Sequence, residues 1–170
     1  TIERLGFIPI LLPNKLKNIK NFLQKISPQG IVLSGGGDPQ KKDLRYKNEK
    51  KIIKYSIKKK LPIIGICRGA QVLNIYYGGK IKKIKNHVKK KHRIFGNLVK
   101  KKKIYTNSYH DYGFDEKLLS RNFKILAYSF DKIVKCFCHK KYKILGIMWH
   151  PERNKTISNF DKKIIKSFFN

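Results

Sequence analysis

Apolar positions recur along this chain with two different periods. Between Asn14 and Ile26, the residues Leu16, Ile19, Phe22, Leu23 and Ile26 fall at helical spacing. The run before them, Phe7–Leu12, reads as a strand. Gly30–Leu33 is a short apolar run that ends in Ser34-Gly35-Gly36-Gly37-Asp38, a loop whose backbone can approach a ligand closely. Leu44 to Lys60 is amphipathic, with Ile52, Ile53 and Ile57 on the inward face. Leu61–Ile66 is a buried type of strand that runs into Cys67. A helical stretch then extends to about Tyr77, and Gly78-Gly79 provide its stop signal. Lys80–Lys103 predicts short strands and turns. Ile104–Tyr109, Phe123–Ser129, Ile133–Phe137 and Ile144–Trp149 predict strands, and Ile157–Phe169 a closing helix. Strand–helix alternation followed by several strands specifies an α/β class with a partly mixed sheet.

Length adds little to that picture. The 170 residues carry no repeat and no Pro/Gly/Ser linker, so residues 1–170 are expected to form one domain. No apolar run reaches the roughly 18 residues of a membrane-spanning helix, and no signal-peptide pattern is present. A membrane role is therefore not expected.

Charge changes the picture more. There are 41 Lys+Arg against 10 Asp+Glu, a formal net charge of +31. Such an excess points toward nucleic acid or another anionic partner. Only six of these residues are Arg (4, 45, 68, 93, 121 and 153), which leaves 35 Lys spread along the whole chain. Nucleic-acid readers rely on Arg for bidentate contacts, so a solvated Lys surface is the favoured reading. The three cysteines, Cys67, Cys136 and Cys138, make neither a disulfide framework nor a zinc set. A reducing, cytoplasmic setting is expected.

Chemistry concentrates at two places. Gly65-Ile66-Cys67-Arg68-Gly69 lies where an apolar strand turns into a helix. Small residues two before and two after the nucleophile relieve a strained turn, and the following helix N-terminus favours a thiolate. The N–H of Arg68 would then face a developing oxyanion. The second place is Trp149-His150-Pro151-Glu152, which follows the run Ile144–Met148. A thiolate needs a base that also protonates a leaving amine, and that imidazole needs an acceptor to orient it. His150 and Glu152 supply both.

Together these motifs resemble the class I glutamine amidotransferase superfamily. Gly6–Pro13 resembles its second strand and loop, and Ser34–Asp38 its oxyanion loop. Leu61–Asn74 with Gly78-Gly79, and Asn107-Ser108-Tyr109-His110, are similar to its gamma-glutamyl hydrolase branch. The resemblance implies a three-layer, flavodoxin-like fold with a mixed central sheet flanked by helices. It implies Cys67 as nucleophile, His150 as base and acid, and Glu152 as orienter. Backbone N–H groups of Arg68 and of Gly36 or Gly37 would form the oxyanion hole. Gln71, Ser108 and Tyr109 would hold the glutamyl group, with His110 lining the mouth. No metal or organic cofactor is implied.

The chain departs from the family pattern at three places. The family's first strand would precede Thr1, so the chain is expected to begin inside the domain. Asp131-Lys132-Ile133-Val134-Lys135 places Lys135 where that branch carries a carboxylate, and Arg45-Tyr46 replaces an Arg-Asp pair. A small cluster, Asn86-His87-Val88 with His92-Arg93, is expected with Lys135 to crowd the amine side of the cleft with positive charge. The implied activity is hydrolysis of a γ-glutamyl amide, a small-molecule substrate, through a glutamyl thioester. One alternative is a glutaminase subunit that feeds ammonia to a synthetase partner. The other is a non-enzymatic basic module that binds nucleic acid or another anion.

Overall fold

The computed structural model describes residues 2–37, 39, 44–100 and 102–169. Asp38 of the glycine-rich loop lies outside them. Four helices are present among the described residues: α1 (Ile19–Ile26), α2 (Leu44–Lys59), α3 (Arg68–Tyr76) and α4 (Asn159–Phe169). The strands are β1 (Ile31–Leu33), β2 (Ile63–Ile66), β3 (Lys82–Lys83), β4 (Val88–Phe95), β5 (Ile104–Tyr109), β6 (Tyr112–Gly113), β7 (Phe123–Ser129), β8 (Val134–His139) and β9 (Ile144–Ile147).

Seven strands form one sheet in the order β1-β2-β9-β8-β7-β4-β5, and β3 pairs separately with β6. β1, β2 and β9 run parallel, and every pairing from β9 to β5 is antiparallel. Both faces of the parallel part are covered, which explains its uninterrupted apolar strands. Alternation along β2 assigns its residues to two cores. Ile63 joins the side packed by Ile19 and Leu23 of α1, Ile52 and Ile53 of α2, and Val72 and Leu73 of α3. Ile64 and Ile66 join the opposite side, with Leu5 and with Ile165 of α4. This is a three-layer α/β arrangement with a mixed sheet, as the resemblance implied.

Helix α1 starts at Ile19, later than the apolar stripe, because Asn18 caps it: the Asn18 side chain accepts from the Asn21 N–H at 3.0 Å. Phe7–Leu12 is not a strand. Among the described residues it pairs with no sheet edge, and Ile8, Ile10 and Leu11 are exposed. Pro9 and Pro13 bring no N–H to a ladder. Its ends are anchored, by Phe7 against the ring of Phe169 at 5.4 Å and by Leu12, partly buried against the core. None of the helices among the described residues is long and apolar enough to cross a membrane.

Candidate active site

Cys67 sits on the turn between β2 and α3 with φ 49 and ψ −102, a strained conformation for a residue with a side chain. Its N–H donates to the Ile147 carbonyl at 2.7 Å, so the turn is stitched to the neighbouring strand β9. The flanking glycines are a steric necessity. A Cβ on Gly69 would lie 2.0 Å from the Leu33 carbonyl oxygen, and one on Gly65 would lie 2.6 Å from the backbone of Gly69.

Strand β9 delivers the second piece. Buried Trp149 donates its indole N–H to Asp161 of α4 at 2.7 Å, which anchors the segment after the strand. The next residue, His150, is buried, with Nδ1 2.5 Å from Glu152 Oε1. A single turn of 3-10 helix over Pro151–Arg153 makes this short reach possible. Among the described residues, His150 Nε2 is buried without a hydrogen-bond partner. Cys67 and His150 both approach Gly35: a Cβ there would lie 2.9 Å from His150 Cε1 and 3.8 Å from Cys67 Cβ. Burial pushes the His150 pKa down, but the facing Cys67 and then Glu152 outweigh it and raise it to about 9. Burial pushes the Glu152 carboxyl up, but the His150 hydrogen bond, a backbone hydrogen bond and the charges of His150 and Arg153 together hold it below the usual carboxylate range.

The glycine-rich loop is braced from outside. Arg45 of α2 donates to the carbonyls of Ser34, Gly35 and Gly36 at 2.8, 3.1 and 3.0 Å. It also pairs with Glu49 at 3.0 Å, and Glu49 in turn binds the buried Arg68 guanidinium. Across a trans peptide, C=O and the next N–H point in opposite directions. With the Gly35 and Gly36 carbonyls turned toward Arg45, the N–H groups of Gly36 and Gly37 point away from it. Gly36 and Gly37 have φ of 96 and 73, which only glycine adopts without strain.

Of the residues expected to bind substrate, Tyr109 lies at the cleft, its ring edge-on to His150 at 5.8 Å. Gln71 is buried, with Nε2 donating to the Tyr112 carbonyl at 2.8 Å. Ser108 and His110 lie deeper than expected, and His110, at 5% exposure, does not line an open mouth. Both bind Lys135, which is fully buried and also does not crowd the cleft. Lys135 Nζ lies 2.9 Å from His87 Nδ1, 3.1 Å from Ser108 Oγ and 3.2 Å from His110 Nε2. His87 Nε2 meets Asp131 at 2.7 Å and His110 Nδ1 meets the Tyr112 carbonyl at 2.9 Å. Both rings therefore keep an unprotonated nitrogen for Lys135, and the three N–H groups of an ammonium find three acceptors. His92 stacks on His87 at 4.2 Å rather than facing the cleft. Burial, then Lys135, lowers the pKa of His87 and takes that of His110 to about 2.

Burial also lowers the Lys135 pKa to about 7, with Asp131 and Cys67 pulling the other way. A folded pKa below the unfolded value near 10.4 means a destabilisation fully present below pH 7 and relieved as pH rises toward 10. The Lys135→Met variant lacks that titration. Denaturant unfolding at pH 6 and pH 9 should show the native chain gaining stability over the variant, with a slope of up to about 1.4 kcal/mol per pH unit above pH 7. Parallel stability–pH curves would show that Lys135 keeps its charge throughout.

One residue with a clear geometric part was not among the expected site residues. Asn107 clamps the His150 backbone twice: its Oδ1 accepts from the His150 N–H and its Nδ2 donates to the His150 carbonyl, each at 2.8 Å. In the sequence it stands in the Asn107–His110 motif, where the resemblance gave it no role of its own. Among the described residues, no three His, Cys, Asp or Glu side chains gather in a way that would hold a metal ion.

Comparison with known proteins shows the family. The family profile of class-I glutamine amidotransferases matches residues 2–170. The chain is 33% identical over 150 residues to the gamma-glutamyl-CDP-amidate hydrolase of Campylobacter jejuni, covering 83% of this chain and 70% of that protein. It is 31% identical over 148 residues to a glutamine-hydrolyzing GMP synthase subunit of Methanocaldococcus jannaschii, covering 82% of this chain and 72% of that protein. In fold it is similar to a glutamine amidotransferase of Thermotoga maritima, with a TM-score of 0.60 at 21% identity, covering 81% of this chain and 60% of that one. A strained cysteine turn, a histidine held by a carboxylate two residues on, and a glycine loop between them thus occur in a chain that the profile matches almost throughout: it belongs to the class-I glutamine amidotransferase family.

Proposed function

We propose that this chain hydrolyses the amide bond between a γ-glutamyl group and an amine, and that it does so without a synthetase partner. The observation that carries this reading is Cys67 on its strained turn, facing a His150 that Glu152 holds from behind. Cys67 Sγ attacks the γ-glutamyl carbonyl carbon, forming a C–S bond and an oxyanion. N–H groups of Arg68 and of Gly36 or Gly37 stabilise that oxyanion. The C–N bond breaks as His150 passes its proton to the departing nitrogen. Water then gives a proton to His150 and adds to the thioester carbonyl. The C–S bond breaks, and glutamate leaves. Gln71 lines the glutamyl side, Tyr109 stands beside His150 where the glutamyl group and the leaving amine meet, and Ser108 and His110 support the glutamyl side from beneath through Lys135.

Two observations support independence from a partner. The Arg45 brace on the carbonyl side of the glycine loop, made within the single chain, supports an oxyanion site that needs no partner. The hydrolase among the relatives is named for a γ-glutamyl bond. A second reading, a glutaminase subunit supplying ammonia, draws on the similarity to GMP synthase subunits. The basic-module reading leaves the His150–Glu152 pair and the strained Cys67 turn without a use. Assaying glutamate release by the chain alone tests the choice. Turnover of γ-glutamyl amines faster than glutamine is expected. Activity on glutamine only, and only with an added synthetase, would establish the second reading instead.

A further inference from the structure

The expected crowd of positive charge on the amine side is not formed by Lys135 and His87, which are buried, or by His92, which stacks on His87. A different set of cations stands there. A cavity of about 370 Å³ is lined by Lys89, Lys90, Lys91, Tyr109, Arg153 and Lys155 together with small polar groups. That volume lies within the roughly 300–1,000 Å³ of ordinary ligand pockets. Five of its lining residues are cationic and none is a carboxylate.

Three consecutive lysines would not share one side of a regular strand, because side chains alternate. Here the strand is irregular. Val88 pairs with Tyr109 and Lys90 with Ser108, so Lys89 is bulged out of the ladder. Its φ of 52 is in the left-handed region, a strained conformation for lysine. Bulges re-aim side chains beside active sites, and this one gathers Lys89, Lys90 and Lys91 around one cavity. Opposite them, Arg153 lies over the Tyr109 ring at 4.3 Å. Arg153 directly follows Glu152, and Tyr109 abuts His150 at 5.8 Å.

Position decides what this cavity meets. His150 must reach the departing nitrogen to protonate it, so the remainder of the leaving group lies on the His150 side of the scissile bond. The lysine cavity reaches that side through Tyr109, which lines it and whose ring abuts His150. A single carboxylate does not require five cations, whereas a phosphate or diphosphate carries two or more negative charges and is well matched by lysine ammonium groups acting as point charges.

We propose that the cavity of Lys89, Lys90, Lys91, Arg153 and Lys155 is a leaving-group subsite, and that the amine released carries a phosphate ester or diphosphate. This rests on the hydrolase reading and adds the substrate class to it. The test uses the full chain and three substrates: γ-glutamyl ethanolamine, its phosphate ester, and γ-glutamyl glutamate. The phosphate ester should exceed the neutral amide at least tenfold in kcat/KM at low ionic strength, and should also exceed the glutamate conjugate. In Lys90→Gln/Lys91→Gln/Lys155→Gln that preference should fall toward one. In Lys58→Gln/Lys59→Gln, which removes the same kind of charge at the far end of α2, it should persist. Equal rates for the ester and the neutral amide, a preference for the glutamate conjugate, or equal loss in both variants would overturn the subsite. If none of the three substrates is turned over, the hydrolase reading fails, and calorimetric titration with inorganic diphosphate decides the subsite separately. Tighter binding to the native chain than to the 90/91/155 variant upholds the subsite; equal binding refutes it.

Discussion

Replacing Cys67 with alanine is expected to lower kcat for γ-glutamyl amide hydrolysis by at least about 10⁴-fold, the scale seen when a nucleophile is removed from a coupled catalytic set. The fold should survive, because the change removes one sulfur from a side chain that is 6% exposed and leaves the strained backbone in place. A diazoketone analogue of glutamine should alkylate Cys67 and spare the other two thiols. Burial raises the thiol pKa of Cys136 and of Cys138, so neither offers much thiolate. Neither begins a helix, since both lie within β8. Mass spectrometry of the labelled chain checks this directly. Labelling mainly at Cys136 or Cys138, or full turnover by Cys67→Ala, would remove Cys67 from the mechanism.

The second large effect is on stability. Gly69→Ala should destabilise the chain by at least about 3 kcal/mol, the upper part of the range for overpacking. Helix propensity alone argues the opposite, since Ala is better than Gly in a helix interior by roughly 1 kcal/mol. The contact decides the sign. The added methyl would lie 2.0 Å from the Leu33 carbonyl oxygen and 2.8 Å from the Leu33 Cβ, so α3 would have to move off β1. Moving α3 also carries Cys67 away from His150, so activity should fall together with the unfolding midpoint. Gly6→Ala is the matched control. It has φ +89 but nothing within 4 Å of a Cβ, so only the left-handed conformation costs, about 1 kcal/mol. Denaturant midpoints for the two variants make the comparison. A Gly69→Ala chain as stable as Gly6→Ala would mean that the elbow tolerates a side chain.

What the sequence determined by itself is the chemistry carried by nearby residues. The spacing Gly65, Cys67, Gly69 between an apolar strand and a helix names the turn, and the clash relieved at Gly65 is local, with Gly69 and Ala70, although the one relieved at Gly69 is with Leu33 across the sheet. His150 and Glu152 pair across one proline, within reach of a single 3-10 turn. The stripes of α1 and α2 are visible in the spacing of Ile19, Leu23, Ile52 and Ile53, since each helix presents one face to the core. The tertiary structure decided whatever depends on strand order. Asn107 reaches His150 across 43 residues, and Lys135 reaches His87 across 48 and Ser108 across 27. These contacts exist because β5, β4, β7, β8 and β9 lie side by side. No local pattern tells a lysine in β8 whether it will face solvent or a nest of imidazoles. The same holds for Phe7–Leu12, whose apolar residues suit a strand but meet no edge to pair with. It holds too for Lys89–Lys91, a charge run like many others here until a bulge and a neighbouring loop close a cavity around it. Periodicity reports which face of an element is apolar, whereas the identity of the neighbour across the sheet is set by topology.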